Sequence, residues 1–271
     1  MEDLLGSYPI FDHLAAFLLG TPRLFMFMQT APFMGAGLVT GQLRFTVVLA
    51  CYSFLHPMIL AGLPAWGGFH AAAVLHLGAL IVKEVFLGLL LGMLAGMMFW
   101  TIQCAGFFVD NQRGAGQAAA ADPLSGEQTS PTGSFFFQSA VYVFFSTGAF
   151  AACLGIVYAS YEAWPAAAPL PAAIIQKPVV ALFFAGIVAK LALDMVLLSG
   201  PVVVACLLTD VSLGLINRFA SQLNVYVLAM PIKSGLVSLM LIFYFSLLMT
   251  GMLAMFNTFG EDVRWLKGLL P

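Results

Sequence analysis

The chain has 271 residues, of which 62% are hydrophobic and only 8% charged, with a mean hydropathy of +1.00. A soluble domain carries about 25% charged residues, so this chain lacks the polar atoms to cover a water-facing surface, and lipid is its solvent. Ten Lys and Arg against twelve Asp and Glu leave no basic footprint for nucleic acid, and the composition excludes a disordered chain and a disulfide-stapled secreted module.

The N-terminus, Met1-Glu2-Asp3, is acidic. A cleavable signal peptide needs a basic n-region, so the first apolar run is expected to stay as a membrane segment. A spanning helix needs about 20 apolar residues, and six candidates follow in order: 10–34, 45–63, 71–107, 134–160, 179–209 and 225–258. The third is longer than a bilayer core is thick and must tilt, kink or project. A polar, Gly/Ala-rich stretch, 108–133, follows it, and a proline-rich connector from Trp164 to Pro178 precedes the fifth. Gly200-Pro201 predicts a kink in the fifth span, and Pro231 with Lys233 an interruption of the sixth. Asn217, Arg218, Ser221, Gln222 and Asn224 mark a short turn between those two, and 259–271 reads as a polar tail. The fold class is therefore all-α: a polytopic membrane protein with long, broken helices and helical hairpins.

Six spans would put both termini on one side of the membrane. The positive-inside rule does not choose the side, because Arg44, Arg113 and Arg218 fall on one face and Lys177, Arg264 and Lys267 on the other.

Arg23, Lys83, Glu84, Lys190, Asp194, Asp210 and Lys233 interrupt apolar runs. A charge at the bilayer centre costs roughly +2.5 to +3.5 kcal/mol, so each is expected to face protein, water or a headgroup. Lys190 and Asp194 are four apart and can pair along one helix face. Lys83 and Glu84 are adjacent and point about 100° apart on a helix, so they are expected not to neutralise each other but to find outside partners, in a neighbouring subunit before a proton relay.

The stretch Phe107-Phe108-Val109-Asp110-Asn111-Gln112-Arg113-Gly114-Ala115-Gly116-Gln117, then four alanines and Asp122-Pro123, carries the most information. Gly114 and Gly116 permit positive φ and close backbone approach, and alanines present little to clash. Such a segment at the end of an overlong helix suits a movable plug in a pore; the same composition also suits a solvated interhelical loop. No GK[ST] follows the glycines, so it is not a phosphate loop. The 25 phenylalanines and 14 methionines read mainly as packing. Cys51, Cys104, Cys153 and Cys206 sit singly in apolar runs without metal or redox spacing and read as small buried residues. No HExxH, GxSxG or CxxC motif occurs, and His13, His56, His70 and His76 include no pair at helical ligand spacing. No cofactor, metal or catalytic group is expected.

Four blocks in order resemble one family. They are Ala31-Pro32-Phe33 with Arg44; Lys83-Glu84 followed by Gly88 and Gly92; Ala105-Gly106, Asp110, Gln112, Gly114, Asp122-Pro123-Leu124-Ser125-Gly126 and Thr132-Gly133; and Asp210 to Arg218 with Gln222-Leu223-Asn224 and Pro231-Ile232-Lys233. Together they are similar to the type III secretion export-gate T subunit, called FliR in flagella and SctT in injectisomes. Asp122 to Thr129 looks more like the injectisome branch. Phe219-Ala220-Ser221 stands where many relatives place a proline.

The resemblance implies a gate built with R, S and U subunits (flagellar P, Q and B) in the bacterial inner membrane, assembled partly on the periplasmic side, and passing unfolded exported proteins. It implies an R-like part over 1–133, ending in a plug at 107–123, and an S-like hairpin, 179–258, within a C-terminal part over 134–258. By position, Asp110, Gln112 and Arg113 would close the plug, and Lys83, Glu84, Asp210, Arg218 and Lys233 would be intersubunit or turn-ordering residues. With these go Phe107, Phe108, Asn111, Gly114, Gly116, Asp122 and Pro123 in the plug, and Lys190, Asp194, Gln222 and Asn224 as intersubunit or lumen contacts. The alternative is a secondary transporter or proton channel using Lys83, Glu84, Lys190, Asp194 and Asp210 as relay groups.

Overall fold

A computed structural model describes residues 10–35, 39–63, 71–114, 130–169, 178–220, 222 and 224–268. Among these the secondary structure is helical throughout: α1 Ile10–Thr30, a 3-10 turn at Pro32–Met34, α2 Gly41–Ala61, α3 Ala71–Arg113, α4 Pro131–Ser146, α5 Ala149–Ala163, α6 Pro178–Phe219 and α7 Val225–Gly268. The all-α membrane fold expected from composition is the one observed.

Five of the six expected spans fall on helices that are long and apolar enough among the described residues, counting one bent pair as a span. Among the described residues four helices are long and apolar enough to cross a membrane, α2, α3, α6 and α7, with α4 and α5 as a fifth if that broken pair counts as one. α1, at 21 residues, is long enough for the expected first span, although Asp12 and Arg23 lie within it. The expected fourth span is two helices that part at Thr147-Gly148, where Gly148 takes φ 75°, a conformation glycine adopts without strain.

Three helix ends also move. α3 continues six residues past 107 to Arg113, so the first part of the expected loop is helix. α6 runs through Pro201, and α7 runs through Pro231 and on to Gly268, so the expected interruption at Pro231 and the polar tail up to Gly268 are helical. A proline inside a helix forfeits one backbone bond. In an apolar medium the remaining bonds have no water to compete with them, which keeps the segment helical.

The chain divides into two compact units. The first holds residues 1–97, 150–180 and 259–271. There α1 crosses α3 at Gly88 and Gly92: a Cβ on Gly88 would lie 2.9 Å from Arg23 Cα, and one on Gly92 2.9 Å from the Phe27 carbonyl oxygen. Two glycines four apart let helix backbones touch where neither water nor lipid drives association. Leu19, Leu24, Phe27 and Met28 of α1 are buried in this unit, and the Tyr161 hydroxyl of α5 donates to the Gly20 carbonyl at 2.6 Å.

The second unit holds residues 98–149 and 181–258. Val109, Val202, Cys206 and Val237 form its buried core, with Met240, Leu241 and Tyr244 against them. Phe99, Phe144 and Phe256 make a second cluster with centroids 5.2–5.5 Å apart. Of the four cysteines, Cys51, Cys153 and Cys206 are buried as expected, whereas Cys104 is exposed.

Candidate functional site

Two polar clusters stand out, one in each unit. In the second unit, Asp110 sits in the last turn of α3 and is only 3% exposed. Its carboxylate accepts from the Ser130 hydroxyl at 2.5 Å, the Thr132 backbone N–H at 2.9 Å and the Thr132 hydroxyl at 2.6 Å. Arg113, one turn on, pairs with it at 2.6 Å. Ser130 itself caps α4, accepting from the Gly133 N–H at 2.9 Å. A carboxylate beside the first N–H groups of α4 also meets the positive end of that helix.

This closeness depends on glycine. A Cβ on Gly106 would fall 2.6 Å from Gly133 Cα and 2.7 Å from the Thr132 carbonyl, so α3 and α4 meet backbone to backbone one turn before Asp110. Asp110 therefore staples together the two ends of the Gly/Ala-rich segment. Gly114, with φ 83°, turns the chain out of α3 beside Met230. Phe107 and Asn111 are exposed, and Phe108, Gln112 and Arg113 half-buried. Gly116, Asp122 and Pro123 lie outside the described residues.

In the first unit, Arg23 and Glu84 are both 0% exposed. The guanidinium holds the carboxylate by two bonds, Nε to Oε2 at 2.7 Å and Nη2 to Oε1 at 2.8 Å. Its remaining donors reach the Ser160 hydroxyl at 3.0 Å and the Trp164 carbonyl at 2.9 Å, and its face lies 4.0 Å from the centre of the Tyr161 ring. Such fork-to-fork pairing satisfies both charges in one geometry.

Lys83 reaches the same carboxylate, Nζ to Glu84 Oε1 at 2.7 Å. This corrects the expectation that the adjacent pair would not neutralise itself, because the four-carbon stem of lysine bends its ammonium back over the neighbouring turn. Lys83 also donates to the carbonyls of Pro165, Ala166 and Ala168 at 2.8–2.9 Å. Two cations and one anion leave a net positive charge, and four carbonyl dipoles from the start of the proline-rich connector offset it. Arg23 was legible as a misplaced charge, yet its partnership with Glu84 across 61 residues carries no sequence signal.

The other predicted residues spread along the α6–α7 hairpin of the second unit. Asp210 and Lys233 pair across it at 2.9 Å. Lys190 and Asp194 are half-buried, one turn apart on α6; Arg218, Gln222 and Asn224 are exposed around the turn, where Asn224 lines an open hollow with Val227, Leu228 and Pro231. In the first unit Arg44 is buried, and its guanidinium bonds the Gln29 amide oxygen of α1.

An all-helical membrane protein with a long helix stapled to its successor around a small-residue segment is the class these features define. Residues 14–259 match the family described as bacterial export proteins, family 1, and the chain belongs to that family. It is 45% identical over 165 residues to Yop proteins translocation protein T of Yersinia pestis, a match covering 61% of this chain and 62% of that protein's own length. It is 30% identical over 246 residues to surface presentation of antigens protein SpaR of Salmonella typhimurium, covering 88% of this chain and 86% of that protein. It is 29% identical over 269 residues to flagellar biosynthetic protein FliR of Bacillus subtilis, covering 96% and 98%. The family read from the four sequence blocks is the family found.

Proposed function

We propose that this chain is the T-type subunit of a type III secretion export gate. With R- and S-type subunits and a U-type subunit, it completes a plugged conduit for unfolded proteins in the bacterial inner membrane, assembled partly on the periplasmic side. The observation that carries this reading is the Asp110 staple. It holds both ends of a small-residue segment at a fixed root, which is what a plug needs in order to swing aside and return. Phe107 to Pro123 would form the plug and its root, with Asp110 and Arg113 as anchor.

The hairpin supports a place within an assembly. The apolar windows of α6 and α7 are only 22% and 17% buried by the chain itself. Leu207, Leu208, Val211, Phe219, Ile242 and Phe243 are all exposed. Lipid and neighbouring subunits would cover them, with Lys190, Asp194, Asp210, Arg218, Gln222, Asn224 and Lys233 as intersubunit or lumen contacts. Lys83 and Glu84 are satisfied within the first unit, and their role there is to hold α1, α3 and the connector together. The transporter or proton-channel alternative gains nothing from Glu84, whose two oxygens are both bound by Arg23. The 45% identity to the Yersinia translocation protein favours the injectisome branch.

Native mass spectrometry of the detergent-extracted chain, expressed alone and with its R- and S-type neighbours, tests the assignment. The expected result is one large hetero-oligomer in the second case. A monomer or homodimer under both conditions would refute it.

A further inference from the structure

In the first unit, α1 and α2 are also joined by a chain of three polar side chains separate from the Arg23 cluster. His13 Nδ1 and His56 Nε2 lie 2.8 Å apart, and the Tyr52 hydroxyl lies 2.6 Å from His56 Nδ1. The two imidazole centres are 5.1 Å apart and their planes 18° from parallel. That separation is the N···N distance plus one ring radius at each end, so the rings meet head-on along the N···N line. Tyr52 is buried and set edge-on to Phe17, His56 is half-buried, and His13 is exposed.

Head-on imidazoles suit a shared proton. A metal ion with M–N bonds of about 2.0–2.1 Å would need the two lone pairs to converge off that line. A neutral imidazole offers one N–H and one lone pair. Two neutral rings satisfy both contacts in either tautomer, because the Tyr52 hydroxyl both donates and accepts. One imidazolium beside one neutral ring does so too. Two imidazoliums do not, since every ring nitrogen then carries a hydrogen and the N···N contact has no acceptor.

We propose that Tyr52, His56 and His13 form a proton-sensitive latch between α1 and α2, closed while at least one imidazole is neutral and released when both are charged. The second imidazolium forms against the charge of the first, so release needs acid. Tyr52 is the titratable group set against the pair from α2. Asp12 precedes His13 on the exposed start of α1, and α5 brings the Tyr158 hydroxyl to the Cys51 carbonyl, next to Tyr52, at 3.2 Å. Pro57 follows His56 inside α2 and cannot bond the Ser53 carbonyl, so the latch braces a turn that has lost a backbone bond. The inference does not rest on the export-gate reading and can fail without it.

Hydrogen–deuterium exchange of the full chain in detergent, at about pH 8 and about pH 5 and corrected for intrinsic rates, reads the latch through the amides around His13 and His56. A net hydrogen bond contributes about 0.5–1.5 kcal/mol, so exchange there is expected to rise about 2- to 10-fold at the acidic pH. In His13→Phe the exchange is already fast at the higher pH, and the acid-dependent rise is lost. The same rise in wild type and His13→Phe overturns the proposal. Histidine nitrogen NMR of the wild type supplies a readout that needs no variant. A hydrogen-bonded imidazole N–H seen at the higher pH and lost at the lower supports the latch, and its absence at the higher pH overturns it.

Discussion

Replacing Glu84 by glutamine is expected to destabilise the first unit by about 3–5 kcal/mol, the usual cost of stripping one partner from a buried ion pair. Arg23 and Lys83 would then face each other with no anion between them, only backbone carbonyls, the Ser160 hydroxyl and the glutamine amide oxygen as acceptors. Arg23→Met is expected to cost less, because the Lys83–Glu84 contact at 2.7 Å survives it. The order Glu84→Gln worse than Arg23→Met distinguishes a coupled triad from a simple pair, in which the two would cost the same. Thermal unfolding of the purified chain or its complex in detergent, followed by circular dichroism, reads the order directly. Glu84→Gln within about 1 kcal/mol of wild type, the size of an average point substitution, would show that the cluster is not what holds the unit.

Asp110→Ala carries the second large effect. It removes the acceptor for four contacts, from Ser130 Oγ, Thr132 N and Oγ1, and Arg113. It also leaves the buried Thr132 N–H without its partner. A hydrogen bond to a charged group contributes about 1.5–3 kcal/mol, and because these act on one carboxylate they do not add. We expect a loss of about 3 kcal/mol in the second unit, with the ends of α3 and α4 free to part. In the proposed gate the expected consequence is ion leak without substrate. Asp110→Asn keeps the shape and one acceptor oxygen, and should fall between wild type and alanine. Equal leak and equal unfolding temperature in wild type and Asp110→Ala would sink the staple's role.

Much of this was legible from residue types alone. Composition sufficed for a helical membrane chain, and the four ordered blocks, around Pro32, Glu84, Asp110 and Asp210, sufficed for the family. Their physical reasons emerge only in three dimensions. Glu84 stands one turn before Gly88, so the close crossing that Gly88 permits is what brings Arg23 to the carboxylate. Asp110 stands one turn after Gly106 for the same reason at the α3–α4 crossing. Long-range partnerships such as Arg23 with Glu84, or His13 with His56, leave no trace in spacing, because helix crossings set them.

Helix ends were read less well. Polarity at Asp110, Asn111, Gln112 and Arg113 suggested a loop, yet α3 continues through them, because Asp110 finds its partners in α4 and Arg113 finds Asp110. Pro231 suggested an interruption, but losing one backbone bond does not end a long helix in an apolar setting. The adjacent Lys83 and Glu84 were read from Cβ directions, which a lysine stem overrides.

The measurement that tests the central claim most directly is single-channel conductance of the assembled complex in a planar bilayer, comparing wild type with a chain lacking Gly116 to Ala121. That deletion lies outside the Asp110 root and both stapled helices, so it shortens the proposed plug alone. The account predicts a closed wild-type complex and steady ion flow through the shortened one. Two complexes of the same size and equally closed would contradict it, and the Gly/Ala-rich segment would then be a connecting loop and no plug.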